Sequence, residues 1–289
     1  MAISMLPSLI LMSATATAAT AIIDVSQPQQ TMDGFGVNVN ANQWGEGDFP
    51  GALDEMVDTL GASLFRLYID NTDWEAQNDD SDPDTFNDAY FDAVFTSPRM
   101  ERLWSTWAYL NQKGITDGLV LNFMGWAPDW MGGHVLPEDP VLEAEFVETI
   151  VALVRYGVVK RGLRLGWLAP FNEPDWNCFE GTCIDEFQMP RLVRLLRSRL
   201  QELGISVPVV APDVAFIANA PTRYLPELTA DSEAMQALGR WGVHNYGGES
   251  GGVPEFIAAS AYPDRRWWVT EWALGSGDYL GSIATLFSH

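Results

Sequence analysis

A parallel α/β barrel is the fold class the sequence predicts, on the strength of two stretches that repeat one design. Leu165–Trp176 reads Leu-Gly-Trp-Leu-Ala-Pro-Phe-Asn-Glu-Pro-Asp-Trp, and Arg265–Trp272 reads Arg-Arg-Trp-Trp-Val-Thr-Glu-Trp. Each is a short apolar or aromatic strand pattern that closes on a glutamate, Glu173 or Glu271, with a tryptophan just beyond. Two such carboxylates, about a hundred residues apart, face each other only if their strands share a sheet with equivalent ends on one side. A (β/α)8 TIM barrel meets that condition, and the other apolar runs alternate with amphipathic segments as it requires.

Composition narrows the function classes. The 289 residues are 47% hydrophobic and 12% aromatic, enough for one large domain with a sizeable core. Sixteen basic against 39 acidic residues give a formal charge of −23, which argues against nucleic acid or an anionic membrane as partner. The apolar run Ile3–Met12 and the small-residue run Ser13–Ala21 resemble a signal peptide over residues 1–21, too short to span a bilayer, although no Lys or Arg precedes it. A secreted or periplasmic location follows as an expectation. Cys178 and Cys183 fit an oxidising compartment and either close a small loop after Glu173 or stand as free thiols. Two cysteines with His134, His244 and His289 are too few and too scattered for a structural zinc site.

The elements are then expected in order. Ala21–Ser26 alternates weakly as a leading strand, and Asp33-Gly34-Phe35-Gly36 turns into a strand bearing Asn38 and Asn40. Pro50–Leu60 is a helix stopped by Gly61, and Ser63–Ile69 a second strand with Arg66 inside an apolar run. A buried guanidinium needs an anionic partner, the alternative being that its head snorkels to the surface. Asp70–Ser97 reads as a long acidic loop; Asp80, Asp82 and Asp84 imitate the start of a calcium loop, but Thr85 and Phe91 exclude an EF-hand. A solvated loop or an irregular calcium site remains there.

Pro98–Gln112 is an amphipathic helix ending at Gly114, and Gly118–Met124 is a third strand. It runs into a loop with Trp126 and Trp130, whose indoles either stack on sugar rings or cover the barrel rim. Asp139–Arg161 and Asp185–Leu203 are the next helices, around a fourth strand in which Pro174 makes Glu173 the last extended residue, at a wet rim. Such a position suits a proton donor, since partial desolvation disfavours the charged form; a solvated strand-end glutamate is the alternative. Val207–Ala211 is a fifth strand, Pro221–Leu238 holds one or two helical pieces, and Arg240–Gly248 is a sixth strand carrying His244 and Tyr246. After the seventh strand, Asp278–Phe287 has the pattern of a helix start. Seven of eight barrel strands are thus expected, which points to a barrel truncated before strand 8, over residues 32–289.

These residues, taken as an ordered set, resemble the glycoside hydrolases of clan A, and the Asp-Gly-Phe-Gly start and the Trp126–Trp130 loop are similar to family 30. The resemblance implies a leading strand, 22–31, that belongs to a small β side domain. It implies Glu173 as acid/base and Glu271 as nucleophile, with Arg66 and Tyr246 bonded to the nucleophile, Asn172 on the sugar 2-hydroxyl, and His244 lining the cleaved sugar's subsite. Trp126, Trp130 and Trp272 are the candidate stacking residues, while a core histidine satisfied by backbone is the alternative for His244. The implied reaction is retaining hydrolysis of a β-glycosidic bond, with no metal and no organic cofactor. A neutral polysaccharide or oligosaccharide, attacked internally, is the expected substrate, because acidic loops disfavour an anionic polymer. The rival class is a non-catalytic carbohydrate-binding barrel or an inactive fragment of a hydrolase.

Overall fold

The computed structural model describes Ser26 and residues 31–69, 73–246 and 251–272. The expected signal peptide, nearly all of the leading strand and the helix at Asp278–Phe287 lie outside the described residues. The chain divides into two compact units, Met1–Asp33 and Gly34–His289, and the barrel belongs to the second.

Seven parallel strands follow one another in chain order: β1 Gly36–Asn40, β2 Leu64–Ile69, β3 Leu119–Phe123, β4 Trp167–Ala169, β5 Val209–Phe216, β6 Leu238–Tyr246 and β7 Trp267–Glu271. This is the curled sheet of a (β/α)8 barrel through its seventh strand. Register runs across it from Asn38 to Arg66, Val120 and Trp167, and at the far side His244 pairs with Glu271. The interior strand β3 is buried throughout, whereas no residue of β7 is buried and Asn38 on β1 is exposed. Those two strands are the sheet's edges among the described residues, which is where unpaired backbone meets solvent.

Helices return the chain between strands and cover the sheet: α1 Phe49–Asp54, α2 Asp88–Phe95, α3 Pro98–Gln112, α4 Pro140–Arg155, α5 Met189–Glu202, α6 Leu225–Ala230, α7 Ser232–Ala237 and α8 Val253–Ala259. Local chemistry sets several starts. Ser97 and Asp139 accept from first-turn amides of α3 and α4, and each is followed by a proline at the first helical position. Between helices and sheet lies the main core, dominated by Phe95, Trp104, Trp107 and Leu121. Inside the curl, Val120, Ala169 and Val210 pack against Trp167 and Trp268, with the Arg240 guanidinium 4.9 Å and 5.4 Å from those two indoles.

Four expectations need correction. The stretch read as a long loop contains α2, capped by Asn87 and held by Phe91 and Phe95, which are buried at helical spacing. In the same stretch Asp80 and Asp82 accept from nearby backbone amides and Asp84 pairs with Arg199 at 3.0 Å. Strand β5 does not end at Ala211: Pro212 is tolerated because the register shifts between it and Val214, so its missing N–H interrupts no regular ladder. Helix α5 begins at Met189, four residues later than expected, and α8 was not anticipated at all. Val253 and Ile257 are buried in α8 and Phe256 packs against the core, a helical spacing confined to a single turn.

Candidate active site

Glu173 is neither extended nor at a wet rim. β4 ends at Ala169, and Glu173 turns into the left-handed region (φ 48°) with no exposed surface. Its N–H donates to the carbonyl of Asp213 at 2.9 Å, and Asp213 is itself left-handed (φ 60°). Two non-glycine residues held this way cost on the order of 1–3 kcal/mol each, and such strain concentrates at functional sites. What it secures is orientation. Glu173 turns its carboxyl toward His244 on β6, and Asp213 turns its own toward one side chain from β2.

That side chain is Arg66, which is buried. It does not snorkel. Its Nη1 donates to Glu271 at 2.8 Å, and its Nη2 donates to Asn172 Oδ1 at 2.6 Å and to Asp213 at 2.9 Å. The other oxygen of Glu271 accepts the Tyr246 hydroxyl at 3.1 Å. His244 is fully enclosed behind Glu173 rather than lining an open subsite: Nδ1 lies 2.8 Å from Glu173 Oε1, and Nε2 lies 3.6 Å from Asp213. Thr270 donates to the second oxygen of Asp213, and Asn122 to the first at 3.4 Å.

The electrostatics follow from these contacts. Burial pulls the His244 pKa down, but the Asp213 charge and the hydrogen bonds to Asp213 and Glu173 outweigh it, lifting the imidazole to about 9. Burial alone raises Asp213, yet Arg66 and His244 hold it well below the usual carboxylate range. The Tyr246 phenol is pushed up by burial and by Glu271, so it remains a donor. Glu173 Oε2 is the exception, a buried oxygen with no hydrogen-bond partner among the described residues.

Glu173, His244 and Glu271 each offer one ligand atom within 4.8 Å of the others. The donor set nevertheless fits a metal poorly. A protonated His244 has no lone pair to give, and both oxygens of Glu271 already accept. The arrangement suits proton transfer and nucleophilic attack between opposed carboxyl groups better.

Of the sequence-predicted residues, Arg66, Asn172, Glu173, His244, Tyr246 and Glu271 come together in this cluster. Trp272 is half-buried immediately after β7. Trp126 is exposed, with its indole N–H on the Cys178 carbonyl at 2.9 Å and its ring 4.0 Å from His134. Trp130 belongs to neither group: it is half-buried against the core and donates to the Glu75 carbonyl at 2.8 Å. Cys178 and Cys183 are joined in a disulfide. Asp213, Asn122, Thr270 and Glu180 were missed. For Asp213 a signal existed, a single acid inside the apolar run Val209–Phe216, but it lies beyond the expected end of the strand at Ala211.

No protein-family model matches the sequence, and no curated protein matches it. Among solved structures the chain is similar to an endo-β-1,6-glucanase, with TM-score 0.63 and 20% identity over 88% of this chain and 60% of that one. The fold is that of the clan A glycoside hydrolases. The catalytic domain of a GH30 xylanase C from Talaromyces cellulolyticus gives TM-score 0.54 and 17% identity over 76% of this chain and 55% of that one. A GH39 β-xylosidase from Caulobacter crescentus gives 0.51 and 20% over 83% and 53%. This chain therefore spans less than two thirds of the length of each of these three.

Proposed function

We propose that this chain carries the catalytic centre of a retaining β-glycosidase acting on a neutral polysaccharide or oligosaccharide. The observation that carries the reading is the contrast between two opposed glutamates, each with one oxygen within 4.8 Å of the other's. Retaining enzymes hold their carboxyl groups about 5–5.5 Å apart and inverting ones roughly 6.5–9.5 Å apart, so this closeness favours retention. Glu271, with both oxygens hydrogen-bonded by Arg66 and Tyr246, is the nucleophile that attacks the anomeric carbon. Glu173, with one oxygen on His244 and the other unpartnered among the described residues, gives its proton to the departing glycosidic oxygen. A water then loses a proton to Glu173 and displaces Glu271, which restores both groups.

The neutral substrate is supported by the acidic balance of the chain and by Glu180 beside the two glutamates. Internal cleavage of a polysaccharide has its support in the endo-β-1,6-glucanase and xylanase of similar fold. Export, by a signal peptide over residues 1–21, is supported by the disulfide.

Turnover of a panel of aryl β-glycosides and polysaccharides, with product anomers followed by NMR, tests this reading. Glu271→Ala is expected to lose at least about 1,000-fold in kcat, with azide restoring turnover as the α-glycosyl azide. Full activity in that variant, an inverted first product, or sugar binding without turnover in the native protein would each remove the proposal.

A further inference from the structure

Residues Cys178–Cys183 form a short loop closed on itself by the disulfide, and its main chain serves other segments. The Cys178 carbonyl holds the Trp126 indole N–H. The Thr182 hydroxyl accepts the Ala127 N–H at 2.6 Å and donates to the Gly133 carbonyl at 3.2 Å. Bridges pair Gly125 with Gly181 and Val135 with Cys183, so the loop is stitched to the segment that follows β3.

At its centre the loop meets Asn172. The Glu180 carbonyl accepts the Asn172 amide N–H at 3.2 Å and the Gly125 N–H at 2.8 Å. Gly181 lies so close to the Asn172 backbone that an added Cβ would fall 1.6 Å from its carbonyl oxygen. The amide is therefore gripped at both ends by partners of one kind each. Arg66 can only donate, so it fixes Oδ1; a backbone carbonyl can only accept, so it fixes Nδ2. The amide cannot flip without placing donor against donor and acceptor against acceptor. Among the described residues the second N–H of Nδ2 has no partner, and it is the one left for a ligand.

We propose that Glu180, through its carbonyl, and Gly181, through its lack of a side chain, are positioning residues that aim this remaining N–H at the sugar 2-hydroxyl. The proposal rests on the glycosidase reading above and deepens it. Hydrogen bonds to that hydroxyl strengthen in the transition state, so a misplaced amide is felt in the rate rather than in the fold.

The test is Gly181→Ala, assayed on an aryl β-glycoside that the native protein turns over and on its 2-deoxy counterpart. Because Cβ meets backbone rather than a flexible side chain, Asn172 must shift. The expected result is a loss of about 10- to 100-fold in kcat/KM on the parent glycoside and little change on the 2-deoxy substrate. Equal losses on both substrates would mark a merely structural role, and no loss on either would show that the contact does not matter; both overturn the proposal. Asn172→Ala separates it from the reading beneath it: if that variant loses the 2-hydroxyl effect while Gly181→Ala keeps it, the positioning claim falls and the glycosidase reading stands. If Gly181→Ala does not fold, the paired variant Cys178→Ser with Cys183→Ser, which opens the loop, takes the same assay with the same outcomes. No turnover of any β-glycoside by the native protein removes the reading itself.

Discussion

Asp213, within β5, and Glu173, just past the end of β4, have no exposed surface; several donors meet Asp213, and His244 meets one oxygen of Glu173. Arg66 and His244 bring positive charge within a few ångströms, and Thr270 and Asn122 add neutral hydrogen bonds. Where the chain after β2 meets α4, Glu75, Glu145 and Glu148 are enclosed almost as completely, at 0%, 2% and 1% exposure. There the partners are Thr149 on Glu75 and Asn78 on Glu145, and none of the three glutamates forms an ion pair among the described residues. Glu75 Oε1, Glu145 Oε2 and both oxygens of Glu148 lack a hydrogen-bond donor among those residues. Burial lifts Glu75 to about 8, against the pull of the Thr149 hydroxyl, and lifts Glu148 to about 9 with the charges of Asp79, Glu75 and Glu145 adding to it. Equal burial thus has opposite results. Supplied with counter-charge, the first group holds Asp213 below the usual carboxylate range; deprived of it, the second has its carboxyl pKa values raised.

The most damaging way to break this contrast is to take the counter-charge away. Arg66→Met takes from buried Asp213 its ion-pair partner and leaves it only His244 for counter-charge, and removing one partner of a buried ion pair costs about 3–5 kcal/mol. Glu148→Met, which removes an unpaired acid of similar volume, is expected to change stability by less than about 1 kcal/mol, or to raise it. Urea unfolding of both variants at neutral pH measures the difference. Similar losses in the two would mean that the second group carries a partner of its own.

How much of this could be read from the sequence depended on how far each signal had to reach. Helix α3 appears at its expected bounds because its cap, its proline, its apolar period and Gly114 all lie within the segment. Tyr246 was picked out by the resemblance alone, whereas Arg66, Glu173 and Glu271 stood out because each is a polar residue that interrupts or ends an apolar strand pattern, where burial needs a reason. Asp213 fits that description too, yet Pro212 before it carried the opposite local message, and only pairing with β6 overrides it. The left-handed turn at Glu173 is set by the Asp213 carbonyl, forty residues away and invisible to local pattern. The second acidic group was hidden for a related reason. Glu145 and Glu148, three residues apart on α4, look like a solvated helix face, and it is Glu75 and its neighbours that cover them.

A pH titration of stability sharpens the comparison further. For Glu75 and Glu148 the folded state holds protons that the unfolded chain releases from about pH 4.5 upward, so their contribution falls as pH climbs toward 8–9 and then levels. His244 also has a raised folded value, so its contribution is complete below about pH 6.5 and lost as pH rises through about 9. Both clusters weaken the protein in alkali, but only the acidic one acts between pH 4.5 and 6.5. Glu148→Gln is therefore expected to reduce the slope of the stability curve from pH 4.5 to about 9, by on the order of a few kcal/mol across the lower window, while the Glu75 and His244 contributions remain. Thermal melts at half-unit intervals measure it. An unchanged slope between pH 4.5 and 6.5 would show that Glu148 is ionised in the folded state.

Glu180 stands between the two regimes and gives the smallest effect. Half-buried on the disulfide loop, its carboxyl is raised by burial and by the negative charges of Glu173 and Glu271, with His244 and Arg66 pulling the other way. It therefore sits in the field of the candidate catalytic pair without an ion pair of its own among the described residues. A uronate-bearing substrate brings a further negative charge into that field, and a neutral one does not. Glu180→Gln keeps the backbone carbonyl that holds Asn172 and removes only the charge. The ratio of kcat/KM on a uronate-bearing oligosaccharide to that on its neutral counterpart is expected to rise about three- to tenfold, because like charges near a site penalise the wrong ligand. The rise should shrink in 1 M salt, where screening reaches within about 3 Å. A ratio that ignores both the substitution and the salt would mean that the loop's carboxylate plays no part in rejecting anionic sugars, leaving only its main chain to act on the site.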